Sequence, residues 1–242
     1  MDNPLRMIHW IRGIKKKLPM LKNLLRDQNI DIALISETLM ARADSLRVSG
    51  FITSRKDEVS ERGPCRGLVV LVRRGLLHQP LPMEDHNNSL QALGVELQIS
   101  SQDIRIFAVY RPPGRLVPGD VRQLLDSPKA TLAAGDWNCQ HPARNARIAN
   151  TAGRALLHHA IQHGYVVHSP EVPTHYPDNQ EYLPDVIYFA ILKNLDCQLA
   201  QETIVDEVLS HFPVLITLTA TPNRAPPRPP RRVTDWKVFV DW

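Results

Sequence analysis

The chain has 242 residues, of which 43% are hydrophobic and 22% are charged, and it carries a formal net charge of +4. This length and apolar content predict one large domain with a sizeable core, and no stretch approaches the length of a membrane span. Three cysteines, Cys65, Cys139 and Cys197, lie far apart without a Cys-x-x-Cys motif, which argues for a reducing compartment and against a zinc knuckle or a disulfide frame.

The first residues have no long apolar region followed by small residues, so no signal peptide is predicted. The isoelectric point of about 9.1 fits a polyanionic partner without proving one. Apolar runs and helical spacings then predict the following elements in chain order: a strand over 7–10, a helix over 17–28, strands over 30–36, 66–73, 90–99, 104–112 and 129–136, a helix over 150–164, and strands over 184–191 and 212–218.

The second predicted helix has recognisable ends, since Asn150 or Thr151 can cap it and Gly164 can close it. Many strands mixed with few helices predict an α/β or α+β layered sandwich. The domain is expected to occupy 1–220. Residues 221–242 begin with a Pro- and Arg-rich linker, which cannot pack a core, and continue into the start of a following segment.

Polar residues recur at the ends of the predicted strands. Glu37, Tyr110 and Asp136 with Asn138 follow apolar strands, and His211 stands before the last one. Loops at sheet edges are where a rigid scaffold presents catalytic groups. Carboxylates, a carboxamide, a phenol and an imidazole suit metal-assisted hydrolysis of a phosphodiester, because Mg²⁺ needs only one or two carboxylates beside its waters.

Each of these residues also has an ordinary structural interpretation. Glu37 can be a loop carboxylate, Tyr110 a packing residue, Asp136 with Asn138 a tight turn, and His211 a histidine at a strand edge. Only their joint occurrence, in this order, favours a catalytic site.

The same segments resemble the apurinic-type endonuclease of non-LTR retrotransposons, especially jockey-like elements, over residues 7–218. A further segment, "TDWKVF", resembles the stretch that links this endonuclease to the reverse transcriptase. The matching motifs of the domain are "IALISETLM", "FAVYRPPG", "LAAGDWNCQH", "PTHYPDNQEYLPDVIYF" and "LSHFPVLI".

The resemblance implies the endonuclease/exonuclease/phosphatase superfamily, whose fold is a four-layer α/β sandwich of two mixed β-sheets flanked by helices. It implies that Glu37 holds Mg²⁺, or Mn²⁺, and that Asp136 handles the water nucleophile. It further implies that Asn138 and Tyr110 bind the scissile phosphate, and that His211 stabilises the charge of the transition state.

The resemblance also implies partners and a location. Thr174 falls in a loop that lies near DNA in the family, so it is a candidate for substrate binding. The expected partners are DNA and the reverse transcriptase domain of the same polyprotein, with no membrane. Because such enzymes nick target DNA to prime reverse transcription, the nucleus is the expected location, or the cytoplasm before import.

Three departures from the family pattern fall on site positions. The family has Asn after the first strand, where this chain passes from Trp10 directly to Ile11. It has Asp before the late histidine, where Ser210 precedes His211, and Asp in place of Tyr188. A histidine that works on charge needs an orienting partner, so the sequence predicts that this support is missing and that activity is reduced or lost.

Other interpretations stay open. The chain can be a non-catalytic nucleic-acid-binding remnant, a small-molecule phosphodiesterase of the same superfamily, or a poorly folding pseudogene product. The basic stretch 12–17 suits either DNA phosphates or a solvated helix flank. His159 and His163 have metal-ligand spacing, but without a Glu between them a polar helix face is favoured. Asp185 can stand in for the missing acid, although a turn cap is the favoured interpretation.

Overall fold

The computed structural model describes residues 4–11, 13–81, 89–100, 102–179, 181–206 and 209–226. Half of the predicted linker, residues 227–232, falls outside these ranges, and so does the "TDWKVF" segment. No helix in the described part of the chain is both long and apolar enough to span a membrane.

Three α-helices, one single-turn 3₁₀ helix (Pro142–Arg144) and fourteen strands are formed within those ranges. The helices are α1 (Ile14–Asp27), α2 (Pro118–Leu125) and α3 (Thr151–His163). The strands are β1 (Leu5–Ile11), β2 (Ile32–Ser36), β3 (Phe51–Lys56), β4 (Val59–Ser60), β5 (Gly63–Pro64), β6 (Leu68–Arg73), β7 (His78–Leu81), β8 (Gln91–Gln98), β9 (Asp103–Tyr110), β10 (Ala130–Asp136), β11 (Val166–His168), β12 (Tyr188–Lys193), β13 (Leu199–Thr203) and β14 (Val214–Leu218).

The strands form two six-stranded mixed sheets and one small hairpin of β4 and β5. The first sheet has the order β13-β14-β1-β2-β6-β3, and the second has the order β11-β12-β10-β9-β8-β7. The pairs β1–β2 and β9–β10 are parallel, and the other pairs within these sheets are antiparallel. The ends of β2, β9 and β10 therefore meet the start of β12 at one end of the sandwich.

The apolar residues explain why the two sheets stack. Alternate side chains of both sheets, such as Leu34 and Ile106, fill a continuous core between them. The outer face of the first sheet packs against α1, and that of the second sheet packs against α2 and α3. The result is four layers, which confirms the predicted sandwich of two mixed sheets flanked by helices.

Most predicted elements are found, with shifted ends. Helix α3 begins after Asn150, whose side chain accepts the Gly153 N–H at 2.6 Å, and it ends at Gly164 in the left-handed region. The strand predicted over 184–191 begins only at Tyr188. The sequence analysis missed α2, the small hairpin and β3, β7, β11 and β13, the outermost strands of both sheets.

Helix α1 begins at Ile14, three residues before its predicted start. Gly13 precedes it with a positive φ of 73°. The N–H of Gly13 donates to the carbonyl of Glu37 at 2.9 Å, and that of Ile14 donates to the carbonyl of Thr38 at 3.4 Å. These bonds tie the start of α1 to the loop after β2, where the site lies.

Residues 221–225 continue past the last strand and cross the opposite end of the sandwich. The carbonyl of Thr221 accepts from Ser100, and the N–H of Ala225 donates to the carbonyl of Gly75 at 2.7 Å. Arg224 forms an ion pair with the buried Asp31 at 3.2 Å. The chain therefore leaves this domain at the end of the sheets that faces away from the predicted site residues.

Candidate active site

Three side chains form a row across the second sheet, at the end of the sandwich where β9 and β10 end and β12 begins. Asp136, the last residue of β10, is directly opposite Tyr110 on β9 and Tyr188 on β12. Residues opposite each other on neighbouring strands point to the same face. The side chains of Tyr110, Asp136 and Tyr188 therefore face the first sheet, and all three are buried.

Glu37 faces this row from the first sheet. It is the first residue after β2 and has a positive φ of 48°, a conformation that turns the chain sharply out of the strand. Burial raises the pKa of Tyr110, and the neighbouring Glu37 carboxylate raises it further, so the phenol keeps its proton.

The carboxyl of Asp136 lies close enough to Glu37 to feel its charge. Burial raises the pKa of Asp136 well above its usual range, and the charge of Glu37 raises it further. Hydrogen bonds from the Asn138 backbone and side chain and the charge of Arg111 oppose this shift. The Asn138 N–H donates to Asp136 Oδ1 at 3.1 Å. Two carboxylates and a phenol thus converge from opposite sheets, and their catalytic and metal-binding roles remain predictions.

The loop that holds Asp136 and Asn138 is braced from within. Gly135 packs directly against the backbone of β9, so that a Cβ at this position would lie 1.8 Å from the Val109 carbonyl oxygen. Asn138 has a positive φ of 47°, and its Nδ2 donates to the carbonyl of Arg111 at 2.9 Å. The Asn138 side chain therefore holds the loop and Asp136, and its contact with a phosphate remains a prediction.

Arg111 is a site residue that the sequence analysis did not single out. Its side chain is 1% exposed, and the guanidinium donates to the carbonyls of Trp137, Gly114 and Asn138. A planar group with several fixed donors can hold three carbonyls at once. The only sequence signal is an arginine between a buried strand and two prolines.

His211 reaches the row from the segment before β14. Its carbonyl accepts the indole N–H of Trp10 at 3.2 Å. Its Nδ1 is hydrogen-bonded to the hydroxyl of Tyr188, and its ring packs on His175 with centroids 4.4 Å apart. The prediction that His211 lacks an orienting group is therefore wrong, because Tyr188 supplies a phenol where the family has a carboxylate.

Thr174 lies beneath the site. Its side chain is completely buried, and its hydroxyl accepts the N–H groups of Ile187 at 3.0 Å and Tyr188 at 3.2 Å. The hydroxyl thereby positions the first residue of β12. Direct binding of substrate by Thr174 remains a prediction.

The Asp185 carboxylate accepts hydrogen bonds from three groups of the surrounding loops. Its Oδ1 accepts the N–H groups of Arg147 and Val186, both at 2.9 Å, and its Oδ2 accepts from Gln140 at 2.7 Å. Capping of the turn, the favoured interpretation, is confirmed.

His9 is a second buried polar residue that the sequence analysis did not single out. It points from β1 into the space between the sheets, with Nε2 3.4 Å from Ser36 Oγ and its ring edge-on to Tyr188 at 5.1 Å. Burial lowers the pKa of His9 to about 3, so the ring is neutral at physiological pH. Its signal in the sequence is a single histidine within the apolar strand "MIHWI".

The remaining sequence-level departure, the position of the missing Asn, concerns Ile11 and Arg12. The side chain of Ile11 and the whole of Arg12 lie outside the described residues.

In the described part of the chain, His159 and His163 pack ring on ring at 4.3 Å, and no group of three or more His, Cys, Asp or Glu residues is arranged to hold a metal ion.

The carboxylates of Glu37 and Asp136 nevertheless fit a hard divalent cation. Glu37 is half-buried and Asp136 is buried, and a cation between them would relieve the repulsion of their negative charges. Mg²⁺ keeps several waters and is commonly bound by one or two carboxylates, so a third protein ligand is unnecessary.

Comparison with known proteins finds both similar sequences and similar folds. No protein-family model matches the chain. The chain is 30% identical over 228 residues to the RNA-directed DNA polymerase of the mobile element jockey from Drosophila melanogaster, covering 90% of this chain and 24% of the relative. It is 29% identical over 222 residues to the probable RNA-directed DNA polymerase of the transposon X-element from the same fly, with coverage of 90% and 24%. The chain thus spans about a quarter of these relatives.

Solved structures share the fold. The endonuclease domain of TRAS1, a telomere-specific non-LTR retrotransposon, superposes with a TM-score of 0.70 at 16% identity, covering 89% of this chain and 98% of that one. An endonuclease/exonuclease/phosphatase family protein from Leptotrichia buccalis superposes with a TM-score of 0.62 at 9% identity, covering 88% and 99%. These likenesses establish the fold, and the sequence comparisons show that the chain is similar to about a quarter of the polyproteins of jockey and the X-element.

Proposed function

We propose that this chain, which has the fold of the endonuclease/exonuclease/phosphatase superfamily and is related to jockey-like retrotransposon polyproteins, is a metal-dependent endonuclease that nicks DNA. The observation that carries the proposal is the convergence of Glu37, Tyr110 and Asp136 from two sheets at one buried end of the sandwich. A purely structural role would not bring the half-buried carboxylate of Glu37 close to the buried carboxyl of Asp136.

The residues divide the chemistry between them. Asp136, whose pKa is raised by burial, would orient the attacking water and accept its proton. Tyr110 keeps its proton and can donate to a phosphate oxygen once substrate competes for its hydroxyl. Arg111 and Asn138 hold the loop that carries Asp136.

Glu37, with Asp136, would hold Mg²⁺ or Mn²⁺. When bound, such an ion polarises the phosphoryl oxygen and stabilises developing charge. His211 would donate a hydrogen bond to the same charge. We expect turnover below that of relatives with a carboxylate beside this histidine, because a neutral phenol stabilises an imidazolium less than a carboxylate does.

The biological role follows from the relatives. Because those proteins are RNA-directed DNA polymerases, we propose that the nick supplies a 3′ hydroxyl from which reverse transcription begins, with the polymerase downstream on the same polyprotein. Target DNA is then the substrate, and the proposed location is the nucleus, or the cytoplasm before import.

A plasmid assay tests the proposal directly. Supercoiled plasmid should become open-circular with Mg²⁺ and stay supercoiled with EDTA. Asp136→Ala should reduce nicking by at least about 100-fold, since it removes the proposed general base. Salt-dependent DNA binding by wild-type protein, with no nicking in Mg²⁺ or Mn²⁺, would refute the proposal in favour of an inactive binding remnant.

A further inference from the structure

The contact between Tyr188 and His211 is the feature of the site that the proposed roles leave unexplained. The Tyr188 side chain is completely buried and begins β12 directly opposite Asp136. Its hydroxyl meets Nδ1 of His211, and its ring is 6.0 Å from the His211 ring and nearly parallel to it, with an interplanar angle of 19°. The position is thus fixed by the sheet and not by a flexible loop.

Three further contacts restrict the histidine. The segment that carries it pairs with His175, whose ring lies against His211 at 4.4 Å. The Trp10 indole N–H binds the His211 carbonyl at 3.2 Å. With backbone and ring face both held, the remaining freedom of His211 is rotation of the ring and the choice of the nitrogen that carries the proton.

The chemistry of the pair decides that choice. A phenol is a stronger acid than a neutral imidazole N–H, and the imidazole lone pair is a better acceptor than the phenol oxygen. The favoured bond therefore runs from the hydroxyl to an unprotonated Nδ1. A carboxylate at the same position can only accept, so it would instead require a proton on Nδ1.

We propose that Tyr188 is a positioning residue that holds His211 in the neutral form with its proton on Nε2. This inference rests on the proposed nuclease function only for its consequence: Nε2–H is then the hydrogen-bond donor that the His211 ring can offer to a phosphate oxygen. The tautomer itself is a property of the free protein and does not depend on turnover.

Nitrogen-15 NMR of the histidine rings tests the tautomer without substrate. The His211 signals are assigned by their loss in His211→Gln. In the wild type, Nδ1 should give the signal of an unprotonated acceptor and Nε2 that of a protonated nitrogen. Tyr188→Phe should mix the two tautomers. Tyr165→Phe is the matched control, since it removes another largely buried hydroxyl, one bound to Asp126 at 2.7 Å.

Kinetics separate positioning from folding. Tyr188→Phe should lower kcat for plasmid nicking by about 10–100-fold, the usual effect of removing an orienting partner, with little change in KM. Tyr165→Phe should leave both constants unchanged. A wild-type proton on Nδ1, or identical His211 signals in the wild type and Tyr188→Phe, would overturn the proposal. An inactive wild type with the predicted signals would refute the nuclease function alone.

Discussion

His9 should make the stability of the fold depend on pH in a way that can be calculated. Its pKa falls from the ordinary value of 6.5 to about 3 because the ring is buried. Between these values the unfolded chain binds a proton that the folded chain does not, so stability rises with pH. The stabilisation is fully present above pH 6.5 and is lost as the pH falls towards 3.

The magnitude follows from the size of the shift. At pH 5 nearly all unfolded chains carry the proton on His9 and nearly all folded chains lack it. Through His9 alone, the free energy of unfolding should therefore be about 2 kcal/mol lower at pH 5 than at pH 7. Protonation of His9 at still lower pH would bring the total loss to about 5 kcal/mol, which corresponds to the full pKa shift. For a domain of this size, 2 kcal/mol corresponds to a fall in Tm of about 4–8 °C.

Other groups also titrate in this range, so the assay compares variants. Asp136 has a raised pKa and contributes in the opposite direction, because its protonation increases the stability of the folded chain as the pH falls. Urea unfolding of wild type and His9→Leu at pH 5, 6 and 7 cancels such shared contributions. His158→Leu, at an exposed position, controls for the exchange of histidine for leucine.

The wild type should lose about 2 kcal/mol relative to His9→Leu between pH 7 and pH 5. A difference between these two proteins that stays constant to within about 0.5 kcal/mol would show that His9 is protonated as readily in the folded chain as in the unfolded one. The inference of a buried, neutral His9 would then be refuted.

Two further substitutions test the scaffold of the site and the C-terminal segment. Arg111→Lys should lower the free energy of unfolding by about 2–4 kcal/mol and also reduce nicking, because one ammonium cannot satisfy three carbonyls in a buried setting. Thermal melts of this variant and of Arg115→Lys, an exposed control, measure the loss of stability. Equal Tm values of the two variants would contradict the prediction. A chain ending at residue 220 should melt roughly 5–15 °C below one ending at 226, since it lacks the backbone bonds of 221–225 and the Arg224–Asp31 ion pair. Equal melting of the two chains would show that this segment does not stabilise the domain.

The parts of the fold that the sequence predicted share one property: their side chains are buried in a regular pattern. β2, β6 and β10 are buried along almost their whole length and appear as apolar runs. The missed strands lie at the sheet edges, where only one neighbour and one face restrict the side chains. β13, "LAQET", alternates between partly buried and exposed residues and carries three polar side chains among five.

The residues of the site also differ in how easily the sequence reveals them. Glu37, Tyr110, Asp136, Asn138 and His211 were recognisable because polar residues at the ends of apolar strands are conspicuous in a sequence. The contribution of a buried tyrosine or arginine was not, because such residues also serve as ordinary packing or turn residues. Their roles depend on the partner of each polar atom, which only the strand register reveals.

That register also explains how the site can lack a family carboxylate and still hold its histidine. Position 188 is the residue opposite Asp136, so any polar group there points at the same space between the sheets. An acid would add a third negative charge to a buried region that already contains Glu37 and Asp136. A phenol reaches His211 without that charge. A tyrosine instead of an acid at position 188 therefore gives up the stabilisation of an imidazolium and fixes the neutral tautomer of His211. The geometry of the site is kept, and the protonation form in which His211 acts is changed.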